Sequence, residues 1–473
     1  MSTHNALTPF LRGQMSIRPS STTDSGRKLV GQDSYDAVRN PKGIIDMGSG
    51  VNELMLDDLS GWTKKNVKKK QLRDAIGNGD TQSSANVSKI AAGFMNEHFR
   101  VRLPLTDANV MAANDLDTLL DTLTHSIADD GDTILVPTPS CGISAHGVWA
   151  KKGVHVVEVP CDDIPEERFW GPPPQEDAPI QSPEIVRRIE AAIEVELGQK
   201  RTVRGIFLSN PDNPLGRCYA AHVLLQVSQL CVKHRIHLIV DETYAMSAGD
   251  RFSSILSLGL GMNATSVHVL WGMSKDFGLG SIEAAFLATY NKQIHDAMRS
   301  LRFNTETDSR PASMSFLSST VAGKLMSDAK YLRSHYNPVL RRRLNKRRLL
   351  LQEALRKYNI PYHKPEAGFF VFVDLSEWAE LSPRKHGKEG SSALLDHLMK
   401  QRVFLEPGET FCSKRPGWFG LSLGGEMETF KLGLERLLHS LNLLDGKEYT
   451  VLSVLVPGLY FPSPQGMPVS LVV

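Results

Sequence analysis

The chain has 473 residues, with 54 Lys and Arg against 52 Asp and Glu, for a formal charge of +2. So even a balance excludes a global basic field for nucleic acid or for an anionic membrane surface. Hydrophobic residues at 41% and charged residues at 22% are the proportions of a globular protein, and the length calls for a large α/β unit with a smaller companion rather than one minimal domain.

In chain order, residues 1–40 are rich in Ser, Thr, Gly and Arg and lack the apolar core of a signal peptide. They read as a disordered arm. Residues 41–330 alternate short apolar runs with helical patterns, which predicts a mostly parallel sheet flanked by helices. The runs are Ile134-Leu135-Val136, stopping at Pro137; Gly205-Ile206-Phe207-Leu208, stopping at Ser209-Asn210-Pro211; His237-Leu238-Ile239-Val240, stopping at Asp241; and Val267-His268-Val269-Leu270, shortly before Gly272 and Lys275. Ligands of open α/β sheets bind beyond the carboxyl ends of strands. Three runs end at a polar candidate there: Asn210 and Asn213, Asp241, and Lys275.

From residue 331 to 445 the pattern becomes that of a small α+β domain. The run Arg341-Arg342-Arg343-Leu344-Asn345-Lys346-Arg347-Arg348 reads as a solvated helix face. A strand at Gly368–Asp374, a helix at Ser391–Lys400, and strands at Val403–Leu405 and Trp418–Leu423 follow. Residues 446–473 form an apolar, Pro-rich tail broken by Pro457, Pro462, Pro464 and Pro468. Nowhere does an uninterrupted apolar stretch reach the roughly 18 residues of a membrane span. The cysteines Cys141, Cys161, Cys218, Cys231 and Cys412 lack CxxC spacing, so they read as reduced thiols of a cytoplasmic protein without a metal site.

Three successive segments carry chemistry. They are Asn210-Pro211-Asp212-Asn213-Pro214-Leu215-Gly216, Asp241-Glu242-Thr243-Tyr244, and Ser274-Lys275-Asp276-Phe277-Gly278-Leu279. In order and spacing they resemble the signatures of 1-aminocyclopropane-1-carboxylate (ACC) synthase-like enzymes of the class I aminotransferase type. Gly43–Gly48 with Asn52, Leu135–Pro139 and Pro416–Phe419 extend the likeness over roughly residues 40 to 440. The resemblance implies the fold type I architecture of pyridoxal 5'-phosphate (PLP) enzymes and a homodimer. It implies Lys275 as the Schiff-base lysine, Asp241 as partner of the pyridine nitrogen, and Asn213 and Tyr244 as partners of the phenolic oxygen. Thr118 aligns loosely with the phosphate-binding turn.

Departures from the pattern matter as much. An arginine that clamps the phosphate is replaced by Glu283, and a phosphate-binding hydroxyl by Gly272. The ring-stacking tyrosine falls on Ser140 or Cys141, and the tyrosine from across the dimer interface falls near Thr81. Gly420 stands where the family has the arginine that forks onto a substrate α-carboxylate, and Val51 where ACC synthases have a glutamate. An acid beside a phosphate dianion is repulsive at any dielectric, so another base such as Arg310 must compensate or the cofactor is held weakly. ACC synthase activity is therefore not expected. The pattern is similar to the carbon–sulfur lyases of fungal secondary metabolism, which β-eliminate a thiol from an amino-acid-derived small molecule. An aminotransferase and a cofactor-poor, inactive or repurposed protein are the alternatives.

Overall fold

The computed structural model describes residues 22–76, 82–141, 149, 152–164, 183–303, 314–382 and 390–447. Twelve strands occur among them: β1 (Ile45–Asp46), β2 (Val110–Ala113), β3 (Thr133–Thr138), β4 (His155–Pro160), β5 (Val203–Ser209), β6 (His237–Asp241), β7 (Val267–Gly272), β8 (Ala285–Thr289), β9 (Phe370–Asp374), β10 (Val403–Phe404), β11 (Glu406–Pro407) and β12 (Trp418–Ser422). Seven build one sheet in the order β2-β8-β7-β6-β5-β3-β4. Neighbours from β4 to β7 run parallel, while β8 runs antiparallel to both β7 and β2. The four apolar runs of the sequence are its centre, β3, β5, β6 and β7. Buried on both faces, such strands need not alternate polar and apolar residues. The edge strands β2 and β4, and the inner strand β8 between β2 and β7, lie outside those runs.

A second, antiparallel sheet has the order β11-β12-β9, and β1 pairs with β10 in parallel. The predicted helix Ser391–Lys400 is present with those bounds. Helix Asn337–Lys357 carries the basic run, and here the solvated-face reading needs correcting. Arg341 and Arg342 are exposed, but Arg347 is buried and donates to Gly425 O (2.9 Å), while Arg343 donates to Asp58 Oδ2 (2.5 Å). Just before that helix, Leu332–Tyr336 widens into a π turn. Pro338 lacks the N–H that would continue the α ladder there.

The amino-terminal stretch also departs from expectation. Thr22–Gln32 is a helix, not a disordered arm, with Gly26 and Val30 buried and Gly26 against the Phe404 ring. Residues 1–21, Thr81, Arg310 and the tail from 448 lie outside the described residues.

Two close approaches fix how the segment after β1 crosses the sheet. At Gly278 (φ +66°) a Cβ would stand 2.1 Å from Asn52 O, and at Gly424 it would stand 1.7 Å from Val51 O. Only glycine lets the backbone of Val51 and Asn52 lie there. Gly278→Ala is therefore expected to cost at least about 2 kcal/mol through αL strain and overpacking together, read as a lowered urea midpoint with an unchanged m-value.

Candidate active site

The site lies beyond the carboxyl ends of β5, β6 and β7. Past β5, Asn210 N donates to Asp241 O (2.8 Å), and Asn210 Oδ1 accepts from Tyr219 N (3.0 Å). This ties down the turn that presents Asn213. At the end of β6, Asp241 Oδ1 accepts from Thr243 N (3.0 Å). Tyr244 is buried against Phe369 and Phe370, and its hydroxyl accepts from Asn213 Nδ2 (3.3 Å). After β7 the short helix Met273–Asp276 carries Lys275, whose Nζ donates to Gly50 O (3.0 Å). A Cβ built on Gly50 would lie 3.3 Å from Tyr244 Oη and 3.7 Å from Lys275 Nζ, so amine and phenol border the same small space. Asn213, Asp241 and Lys275 each keep part of their surface open.

The Lys275 turn is held from several sides. Asn52 Nδ2 donates to Lys275 O (2.8 Å), Tyr336 Oη donates to Asp276 O (2.8 Å), and Trp271 Nε1 and Met246 N donate to Asp276 Oδ2 (3.2 and 2.9 Å). Trp271 itself stacks between Phe94 and Phe286. Burial is the first cause of every shift here. It lowers the Lys275 amine, opposed by the charge of Asp241 and aided by that of Arg27. It raises the Asp241 carboxyl against the Thr243 hydrogen bonds and the nearby lysine. It raises Asp276 to about 8.

Cys141 is one of the two positions, with Ser140, on which the expected stacking tyrosine falls. Its N–H donates to Asn213 O (2.7 Å), its Sγ lies 3.5 Å from Ser209 Oγ, and burial pushes its thiol up to about 12. It therefore stays a neutral, weakly nucleophilic thiol.

The other end of the site differs in kind. Thr118 lies in helix Leu116–Ile127, where its N–H and hydroxyl both donate to Asp115, the N-cap (2.6 and 3.0 Å). A helix N-terminus is a natural seat for a phosphate, and this one already holds a carboxylate. A Cβ on Gly272 would face Ala284 O (3.2 Å) and the Leu116 side chain (3.8 Å), and Glu283 is exposed. Asp115 was not foreseen, although Asp-x-x-Thr at a helix start is a legible capping signal. Among the described residues, no cluster of His, Cys, Asp and Glu could hold a metal ion, and no helix is long and apolar enough to cross a membrane.

Residues 42–437 match the aminotransferase class I and II family, and the chain belongs to it. It is 27% identical to human 1-aminocyclopropane-1-carboxylate synthase-like protein 1, over 90% of this chain and 82% of the relative. It is 26% identical to 1-aminocyclopropane-1-carboxylate synthase 7 of Arabidopsis thaliana, over 87% and 90%. It is also 26% identical to the human probable inactive 1-aminocyclopropane-1-carboxylate synthase-like protein 2, over 86% and 68%. In structure it is similar to the kynurenine aminotransferase of Pyrococcus horikoshii, with TM-score 0.68 and 17% identity, covering 93% of this chain and 99% of the other. The fold is fold type I.

Enzymes of this family and its ACC synthases depend on PLP. The residues here fit that cofactor unevenly. The ring end fits: an amine, a phenol with its amide donor, and an Asp241 carboxyl that burial destabilises and that a pyridinium N–H would relieve. The positions that the resemblance gives to the phosphate do not fit, since Asp115 and Glu283 are acids and Gly272 has no side-chain donor.

Two expectations follow. The pair Asp115→Ser and Glu283→Arg should tighten PLP binding by at least about tenfold, because two repulsive charges become a hydroxyl cap and a bidentate donor. Absorbance titration of the cofactor measures it. The second concerns Asp276. Its folded value, about 8, lies above the ordinary 3.8, so the folded state holds the extra proton between those values. Its contribution is thus complete below the ordinary carboxylate range and lost as pH rises through about 8. Asp276→Asn removes that loss. Relative to wild type its unfolding free energy should rise with pH by up to about 1.4 kcal/mol per unit between about pH 5 and about pH 8, as read by urea denaturation.

Proposed function

We propose that this protein is a PLP-dependent carbon–sulfur lyase that β-eliminates a thiol from a cysteine-derived small molecule, as in fungal secondary metabolism. Lys275 Nζ bordering the same space as Tyr244 Oη is the observation that carries the reading. The proposed cofactor residues are Lys275, Asp241, Asn213 and Tyr244, with Thr118 as a possible ligand only if Asp115 releases it. When bound, PLP supplies an electron sink that acidifies the substrate Cα–H.

The protein's part is then proton handling. Burial lowers the Lys275 amine, which favours the neutral base that takes the Cα proton and delivers it to the departing sulfur. The Cβ–S bond breaks with its electron pair on sulfur, and the three-carbon remainder takes up water to give a 2-oxo acid and ammonia. Asp241 balances positive charge on the ring nitrogen. The uneven fit favours elimination over amino transfer. An aminotransferase must keep an untethered cofactor between half-reactions and depends on its phosphate grip, whereas a lyase returns the cofactor to its lysine in every turnover. A homodimer is part of this proposal.

One observation favours a second reading. The carboxylate at the N-terminus of helix Leu116–Ile127 suits a protein that has given up the cofactor, and one relative is named as probably inactive. A single experiment separates these. With a cysteine S-conjugate and no 2-oxo acid acceptor, the purified protein should release thiol, and Lys275→Ala should lower the rate by at least about a thousandfold. Turnover that strictly requires an acceptor assigns an aminotransferase. Absence of both turnover and the visible absorbance of bound PLP assigns the cofactor-free protein.

A further inference from the structure

We propose that Arg27, presented by helix Thr22–Gln32 and aimed by Glu406, is the group that binds the substrate carboxylate. The inference rests on the reading of an amino-acid-derived substrate.

The expected arginine of β12 is absent, and its place is closed. A Cβ on Gly420 would meet the Phe411 ring at 3.0 Å, so even alanine requires that ring to give. Gly420 is directly opposite Glu406 in the β11–β12 ladder, so both residues project from one face of the sheet. The same Cβ would lie 3.6 Å from Glu406 Cβ. Glu406 is therefore the polar side chain beside the vacated position, and its side chain is only 1% exposed.

Arg27 Nε and Nη2 donate to Glu406 Oε2 (3.0 and 2.7 Å). Two donors of one guanidinium edge thus converge on one oxygen. Nη1 and the second Nη2 proton have no partner among the described residues, and the Arg27 side chain is 53% exposed. That remaining edge is the one that forks onto a carboxylate end-on.

Backbone contacts connect Glu406 to Lys275. A Cβ on Gly48 would press on Glu406 N at 2.7 Å, and two residues later Gly50 O accepts from Lys275 Nζ. The positive charge of Arg27 acts on the Lys275 amine across this gap. Pairing offsets the buried charge of Glu406, and it needs only one edge of the guanidinium. As an aiming device the pair makes sense: the buried carboxylate holds one edge of the guanidinium and leaves the other open.

The test is calorimetric titration of the full chain and of Arg27→Ala and Arg27→Lys with three probes: S-methyl-L-cysteine, its amide, and succinate. Wild type should prefer the acid to the amide. Arg27→Ala should weaken the acid at least about tenfold and leave the amide unchanged, as expected for a lost charged hydrogen bond. Arg27→Lys, which keeps the charge without the fork, should fall between, and it carries the comparison if melting shows that Arg27→Ala does not fold. If wild type ignores both amino-acid probes but binds succinate through Arg27, the proposed lyase chemistry falls and the carboxylate site stands. Acid binding that is unchanged in Arg27→Ala, equal loss of acid and amide, or a wild type that binds no carboxylate overturns the proposal.

Discussion

The constraint on which the site depends is the contact between the segment Gly48–Asn52 and the Lys275 turn. Gly50 O receives the lysine amine, and Asn52 Nδ2 bonds the carbonyls of Lys275 and Asp276 (2.8 and 3.2 Å). These bonds form only because Gly278 and Gly424 carry no Cβ. The same segment continues β1, which pairs with β10 next to Glu406. One stretch of backbone thus ties the seven-stranded sheet to the elements that carry Glu406 and Arg27.

Beneath that contact lies a floor of buried acids. Asp212 is raised to about 7 and Glu242 and Asp276 to about 8, each first by burial. Glu242 accepts from Ser254 Oγ and Ile255 N (2.6 and 2.9 Å), and Asp276 from Trp271 and Met246, so burial favours their protonated forms while they brace loops. Asp241 differs in being partly open to the site. A low dielectric beneath it strengthens whatever cation it faces. The two ends of the site therefore differ: the lysine end combines an amine with a buried carboxyl, while the opposite end carries the acids Asp115 and Glu283.

Much of this was legible in the chain itself. The apolar runs at 134–136, 205–208, 237–240 and 267–270 are strands because a sheet buried on both faces selects continuous apolar stretches. Asp241 follows one of them directly and Asn213 and Lys275 come within five residues of two others, so local pattern and chain order were enough to bring them to one edge. Family resemblance added Tyr244 and the order of the signatures, and it marked Gly272, Glu283 and Gly420 as departures.

Only tertiary structure could decide the rest. Arg27 lies in a polar stretch with nothing local to distinguish it, and its partner Glu406 is 379 positions away. The buried Arg347 looks like its solvated neighbours Arg341 and Arg342 until Gly425 O is seen to accept from it. The edge strands β2 and β4 and the inner strand β8 gain their identity from their neighbours, because strand preference depends on context. Sequence determines what periodicity and local chemistry can express: strands, turns, caps and the residues that follow them. Which charge is buried, which cation an acid aims, and which glycine clears a path depend on contacts between distant segments, and those exist only once the chain has closed on itself.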